Sequence, residues 1–425
     1  MILIKDGRVI DPSSNLDEVL DIVIEGNKIK YIGKFHESED YEEIIHAKGL
    51  IVAPGLVDVH VHFRDPGFPL KEDIISGAKA AAKGGFTSVV MLANTKPVID
   101  NETTLKEVLK KCEKADIHVY ANACVSKGMN GKELTDFKAL KKIGAVGFSD
   151  DGKPLMNASL LAEAMKQASA LQVPIALHEE DPAFVETAGI HDGDVAASLK
   201  IKGASSLAED VMVARDVMIA SACHAHINIQ HISSANAIEC VRLAKKLGAN
   251  ISCEATPHHF SLDETHVLKH GTLAKMNPPL RASNDRYAIV SALKDGTIDL
   301  IASDHAPHSE EEKQLPFAQA PSGIIGLETS LSLGITNLVR KGILTMIELL
   351  RKMTCNPSDL YHLNAGYIKE GGPADLVLFD ERATITYDHF ISKSNNSPFL
   401  NETLYGKVIM TLCLGKIVYK CEEQE

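Results

Sequence analysis

No Cys-x-x-Cys pair occurs among the eight cysteines, which stand at 112, 124, 223, 240, 253, 355, 413 and 421, mostly inside apolar helix or strand patterns. They read as reduced core residues. A basic excess is also absent: the formal net charge of −13 argues against non-specific binding to nucleic acid or to an anionic membrane surface. A small-molecule substrate fits better. No segment is long and apolar enough to span a bilayer, and Met1-Ile2-Leu3-Ile4-Lys5-Asp6-Gly7-Arg8 enters a strand pattern without the basic and apolar regions of a secretory leader. A cytoplasmic location is the expectation. With 45% apolar and 24% charged residues over 425 positions, the composition is that of an ordinary globular protein with a large core.

What is there falls into two patterns. From Met1 to about Val52, short β runs (Ile2 to Ile4, Arg8 to Ile10, Asp21 to Ile24, Lys28 to Ile32, Leu50 to Val52) are broken by turns at Gly7, Gly26-Asn27 and Gly33. Alone, these strands are too few to bury a good core. Their expected partner is the C-terminal tail, where Ala374 to Phe379, Lys407 to Cys413 and Lys416 to Tyr419 supply more strands. The expectation is one composite β-sandwich domain built from residues 1–53 and 363–425.

Between them, residues 54–362 repeat apolar strand, polar or Gly-rich turn, and amphipathic helix. Strands are expected at Val57 to His62, Thr87 to Leu92, Ile117 to Ala123, Ala145 to Ser149, Pro174 to His178, Ile227 to Ile232, Asn250 to Ala255 and Ile298 to Ser303. Helices are expected at Glu72 to Lys83, Glu102 to Lys114, Glu133 to Ile143, Ser159 to Leu171, Ser206 to Ala222 and Ala235 to Leu247. Eight such units predict an α/β fold, a parallel (β/α)8 TIM-type barrel.

In a barrel of this kind the chemistry sits where strands end. Those ends carry His60 and His62, Asn94, Asp150-Asp151, His178, His231 and Asp304. His60 and His62, one residue apart on a strand, share a face and can reach one ion. His60, His62 and Asp304 can hold one Zn²⁺ and His178 and His231 a second, with Asp151 as a carboxylate bridge. Two ions would hold a bridging hydroxide and clamp a carbonyl oxygen under attack, which is hydrolytic chemistry.

Four segments carry a resemblance: His60-Val61-His62-Phe63-Arg64-Asp65-Pro66-Gly67, Phe148-Ser149-Asp150-Asp151-Gly152, Met276-Asn277-Pro278-Pro279-Leu280-Arg281 and Ser303-Asp304-His305-Ala306-Pro307-His308. They resemble the signature segments of the dihydroorotases, of the bacterial long-chain type in the amidohydrolase superfamily. The resemblance implies two Zn²⁺ per chain and the reversible cyclisation of N-carbamoyl-L-aspartate to L-dihydroorotate in pyrimidine synthesis. It makes Asp304 the proton carrier and Arg64 the fork for a substrate carboxylate. By motif match His62, Asn94, Asn277, His308 and the backbone of Ser322 and Gly323 line the substrate pocket. A homodimer, possible to associate with aspartate carbamoyltransferase, is the expected assembly.

Other readings stay open. A hydantoinase- or allantoinase-like cyclic amidase would resemble a form bridged by carboxylated lysine, for which Lys153 ranks below Asp151. An inactive structural partner of aspartate carbamoyltransferase would be expected to have lost ligands. Asp150 is expected to make a structural hydrogen bond, His258, His259 and His305 to stand behind the ligands, Glu179 and Glu180 to be loop charges, and His224 and His226 to belong to a helix cap and its turn. The polar stretch from Ser309 to Gln319 reads as a mobile loop over the site or as a merely solvated one. At Ala320-Pro321-Ser322-Gly323, serine replaces the aromatic residue usual before the glycine.

Overall fold

The computed structural model describes residues 1–34 and 41–422. Five strands open the chain: β1 (Ile2–Asp11), β2 (Leu16–Glu25), β3 (Lys28–Gly33), β4 (Glu43–His46) and β5 (Ile51–Pro54). Seven short ones follow, β6 (Leu56–Val61), β7 (Phe86–Met91), β8 (His118–Ala121), β9 (Ile175–Leu177), β10 (Ile227–Ile229), β11 (Ile251–Ala255) and β12 (Leu300–Ile301). The chain closes with β13 (Leu376–Thr386), β14 (Thr403–Cys413) and β15 (Lys416–Lys420).

The two ends of the chain share one sheet, in the order β15-β14-β13-β5-β1-β2-β3, with β4 on β1. The seam is β5 against β13, antiparallel from Leu376 opposite Pro54 to Phe379 opposite Ile51. The runs on either side of Gly7 are one strand, not two. Asp6 takes a left-handed backbone (φ 61°), and the register with β2 shifts between Ile4 and Gly7. A bulge of this kind bends a strand without ending it. Before it β1 pairs with β4, and after it with β5. Ile4, Val9, Ile22, Ile24, Val52, Leu376, Leu378 and Leu412 thereby meet in one dry core. Each fully buried aliphatic side chain of this size contributes about 1.5–3 kcal/mol.

The middle of the chain is the expected barrel. Two parallel arcs, β6-β7-β8 and β9-β10-β11-β12, supply seven strands. Residues 145–149 fill the gap between the arcs: Phe148 bridges Ala123 on one side and Ile175 on the other, and Val146 and Ser149 donate to the carbonyls of Ala121 and Ala123. The ring closes where His62 donates its backbone N–H to the carbonyl of His305 at 2.9 Å. The first barrel helix begins at Ile74 rather than Glu72, because Asp73 caps it by accepting from the N–H groups of Ile75 and Ser76. Glu72 is instead wholly buried and hydrogen-bonded to Ser76 and Ser392, tying the barrel to the C-terminal segment. Among the described residues no helix is long and apolar enough to cross a membrane.

Candidate functional site

Strand β6 is buried along its whole length, and alternation places Asp58 and His60 on one face, with His62 next in phase just beyond the strand end. Asp58 accepts from the backbone N–H of His60 and of Ser303, each at 2.9 Å, so it joins the first and last strands of the barrel behind the site. Opposite stand Asp151, His178, His231 and Asp304, all buried. Three residues of the site hold left-handed backbone although none is glycine: Arg64 (φ 55°), His231 (φ 34°) and Asp304 (φ 49°). Such strain persists only where packing enforces it, and it concentrates at functional sites.

The donor atoms converge. Asp151 Oδ1 lies 3.5 Å from His60 Nε2, 3.6 Å from His178 Nδ1 and 3.8 Å from His231 Nε2, while its Oδ2 lies 3.5 Å from His62 Nε2. One carboxylate therefore belongs to two compact groups, His60-His62-Asp151 and Asp151-His178-His231. Asp304 Oδ1 is 3.0 Å from His62 Nε2 and 3.4 Å from His60 Nε2, and it also groups with His60 and His231. Two N/O donors on one tetrahedral Zn²⁺, with bonds of about 2.0–2.1 Å, stand about 3.3 Å apart, close to these spacings. His60 Nε2 and Asp151 Oδ1, both buried, have no hydrogen-bond partner. Buried orphans of this kind call for an ion. The donor set fits a pair of divalent cations.

Charge points the same way. Burial alone pulls the His60 pKa down, yet the carboxylates of Glu254, Asp304 and Asp151 overcome it and hold it well above the ordinary value. Burial pushes Asp151 up, but His60, His178 and His62 bring it far below the carboxylate range. The pocket concentrates negative charge that only protonated imidazoles or cations can balance.

Behind the ligands, Asn94 accepts from His62 Nδ1 at 3.0 Å and donates to Asp151 Oδ2 at 3.2 Å, bracing two of them. Asn277 donates to Glu180 Oε2 at 2.8 Å and lies 3.3 Å from His178 Nε2. Arg64 donates Nε–H to the carbonyl of Pro307 at 3.2 Å, leaving its Nη2 3.3 Å from His308 Nε2. Burial, with Arg64, Lys313 and Lys71 nearby, pushes His308 down to about 2, so it is a neutral imidazole that donates Nε2–H to the carbonyl of Ser322 at 2.9 Å. Gly323 follows at φ 114°, where an added Cβ would stand 2.7 Å from that of Ala306. All twelve positions singled out from the sequence thus lie in or beside one pocket.

Several expectations need correction. Glu179 and Glu180 lie in the loop after β9, as expected, but they are largely buried rather than solvated charges. Glu179 is buried against Asp216, and burial together with that neighbour raises its pKa well above the usual range; Glu180 instead holds Asn277. The stretch after His308 is pinned rather than loose. Ser309 caps a short helix, Glu310–Lys313, and the buried Lys313 ammonium donates to the carbonyls of Pro321 and Gly323 at 2.9 and 3.0 Å. Lys275 likewise donates to those of Phe317 and Ala320 at 2.6 and 2.7 Å. Lys153 is exposed and does not enter the cluster. Asp150 turns away to accept from the N–H of Val125 at 2.8 Å and from Ser126, and His259 is spanned between Thr256 and the carbonyl of Pro278.

Glu254 was missed. It sits on β11 with Oε1 2.5 Å from His60 Nδ1 and accepts the N–H of His231 at 3.1 Å. The signal was present: an acid inside the apolar run Ile251-Ser252-Cys253-Glu254-Ala255 is buried without an obvious partner unless it serves a site.

A closed barrel with buried His and Asp side chains gathered at its strand ends is the architecture of a metal-dependent hydrolase. The comparisons narrow the class. A family model described as Dihydro-orotase-like matches residues 49–237. The chain is 58% identical over 419 residues to the dihydroorotase of Clostridioides difficile (strain 630), covering 99% of this chain and 100% of that one. It is 52% identical over 422 residues to the dihydroorotase of Lactococcus lactis subsp. lactis (strain IL1403), with the same coverage. The chain belongs to the dihydroorotase family. Its fold is similar to that of the L-hydantoinase (dihydropyrimidinase) from Arthrobacter aurescens, with a TM-score of 0.88 at 22% identity over 99% of this chain and 96% of that one. Dihydropyrimidinase from Brevibacillus agri NCHU1002 gives 0.84 at 23% identity, over 98% and 95%. At such identities the likeness speaks for the fold alone.

Proposed function

We propose that the protein interconverts L-dihydroorotate and N-carbamoyl-L-aspartate, in the synthesis of UMP, using two Zn²⁺ held by His60, His62, Asp151, His178, His231 and Asp304. The observation that carries this reading is the position of Asp151, whose carboxylate faces both histidine pairs at 3.5–3.8 Å. Bound there, the cations would activate water and polarise the amide carbonyl. The protein's own residues do the rest. In ring opening, Asp304 accepts a proton from the attacking water and delivers it to the amide nitrogen as that nitrogen leaves the carbonyl carbon. Cyclisation reverses the transfer, with Asp304 protonating the departing hydroxyl. Arg64 receives the substrate carboxylate as a planar fork, with Asn94, Asn277, His62, neutral His308 and the backbone of Ser322-Gly323 around it.

Hydantoinase-like chemistry is the second reading, favoured by the fold alone; Lys153, exposed and apart from the cluster, counts against a lysine bridge. The test is zinc content per chain beside turnover of dihydroorotate, hydantoin and allantoin, for wild type and Asp151→Ala. Two zinc ions and preference for dihydroorotate are expected in the wild type, with both ions and turnover reduced in the variant. Full metal and full activity in Asp151→Ala would remove the bridge, and a preference for hydantoin would remove the substrate. The reading also includes a division into a composite β unit (1–53 and 363–425) and a barrel (54–362), a cytoplasmic homodimer, and association with aspartate carbamoyltransferase. Light scattering, alone and with that enzyme, tests the assembly.

A further inference from the structure

At the opposite end of the barrel from the ligands described above, three strands bring a histidine, a carboxylate and a thiol together. His118 opens β8, at the N-terminal rim of the barrel; Asp375 immediately precedes β13, and Cys413 ends β14. His118 Nε2 lies 3.0 Å from Asp375 Oδ2, and one ligand atom from each of the three residues falls within 4.8 Å of the others. Asp375 is held in place, since its Oδ1 accepts the N–H of Leu414 at 2.6 Å and its backbone carbonyl accepts that of Gly55 at 2.9 Å. Cys413 Sγ lies 3.9 Å from the carbonyl of Thr87 and also meets the Asp375 carboxylate and the backbone N–H of His118.

A cavity of about 410 Å³ opens beside the trio. Its lining includes His118 and Cys413, the acids Glu113 and Asp116, and no lysine or arginine. Asp375 and Cys413 are each 3% exposed, whereas the His118 side chain is 26% exposed and forms the way in.

We propose that His118, Asp375 and Cys413 form a second kind of metal site, for a thiophilic divalent cation such as Zn²⁺, at the junction of the barrel with the terminal sheet. Imidazole nitrogen, carboxylate oxygen and thiolate sulfur are the donors such an ion prefers, and on one tetrahedral ion they stand about 3.3–3.6 Å apart. Modest closing of the trio reaches that spacing. Water or the Asp116 carboxylate, which lines the same cavity, would complete the sphere, and the acidic lining would attract the cation. Occupancy would pin β8 to β13 and β14 and stabilise the folded chain by linkage. The simpler account is a His118–Asp375 ion pair with the Cys413 thiol hydrogen-bonded to the same carboxylate, and the cobalt spectrum below tells the two apart.

The site can be read apart from catalysis, because none of the ligands proposed at the strand ends is sulfur. The full chain, reduced and loaded with Co²⁺, is expected to show a thiolate-to-cobalt charge-transfer band in the near ultraviolet. Cys413→Ser should lose the band and one bound ion per chain while keeping dihydroorotate turnover. Asp151→Ala should keep the band, which separates this proposal from the reading of the catalytic cluster. His118→Gln, a change at a partly exposed position, repeats the test should Cys413→Ser fold poorly. Absence of the band in the wild type, its survival in both variants, or equal ion counts in all three proteins would overturn the site.

Discussion

Glu254 Oε1 stands 2.5 Å from His60 Nδ1, and both side chains are wholly shielded from water. The contact fixes which imidazole nitrogen faces the ion: Nδ1 carries the proton toward Glu254, and Nε2 is left as the donor. Because the same carboxylate oxygen accepts the N–H of His231, it sets two ligands at once. Glu254→Gln keeps the volume and loses the charge. Metal affinity or turnover should fall about 10–100-fold with the fold retained, as read by competition with a chelator and by circular dichroism. Unchanged affinity would show that packing alone orients His60.

Arg64 tests the substrate rather than the metal. Replacing it with Met removes charged hydrogen bonds worth about 1.5–3 kcal/mol, so KM for dihydroorotate should rise roughly 10- to 100-fold with zinc content intact. Arg64→Lys should recover only part of the loss, since an ammonium cannot make the two-pronged contact. Full recovery would mean that charge alone is required.

Lys313 should act through the backbone it holds. It reaches the carbonyls of Pro321 and Gly323, on either side of the Ser322 carbonyl that His308 touches. Lys313→Met should loosen this segment, raise KM by roughly tenfold, and speed amide hydrogen exchange at Ala320, Ser322 and Gly323. Metal binding should not change. Wild-type exchange at those amides would leave the lysine no positioning role.

The pH dependence of stability has a contribution far from the site. Burial first, then His362 and Lys245, lower the His226 pKa from 6.5 to about 4, and its Nε2 lies 2.8 Å from Ser252 Oγ. Between pH 4 and 6.5 the unfolded chain therefore binds more protons at this group than the folded one. Stability from His226 is complete above about pH 6.5 and declines as pH falls toward 4. Urea unfolding at pH 5 and pH 7 should show a smaller difference in His226→Gln than in wild type. An equal difference in both would place the acid sensitivity elsewhere.

The parts of the molecule legible in the sequence are those where one residue type in one pattern has one physical use. Strand alternation pairs His60 with His62, and the repeat of strand and helix builds the barrel. Glu254 stayed hidden because it acts through another side chain, so its role depends on which strands become neighbours. Lys313 stayed hidden because helix ends and polar loops are rich in lysine, and only burial separates a lysine that holds carbonyls from one in solvent. The fourth barrel strand pairs only through bridges at Phe148 and hydrogen bonds from Val146 and Ser149, a thin ladder that the apolar run Ala145 to Ser149 does not announce. The β1 bulge at Asp6 could not be read from Gly7, which looked like a turn.

The seam between β5 and β13 has a consequence for biosynthesis. The first strands pair among themselves, but β5 finds its other neighbour, β13, only after the whole barrel has been made, since Pro54 pairs with Leu376. Until then the N-terminal strands expose an open edge and an apolar face, which is where aggregation begins. Truncation near the C-terminus should therefore harm solubility more than its distance from the histidines would suggest.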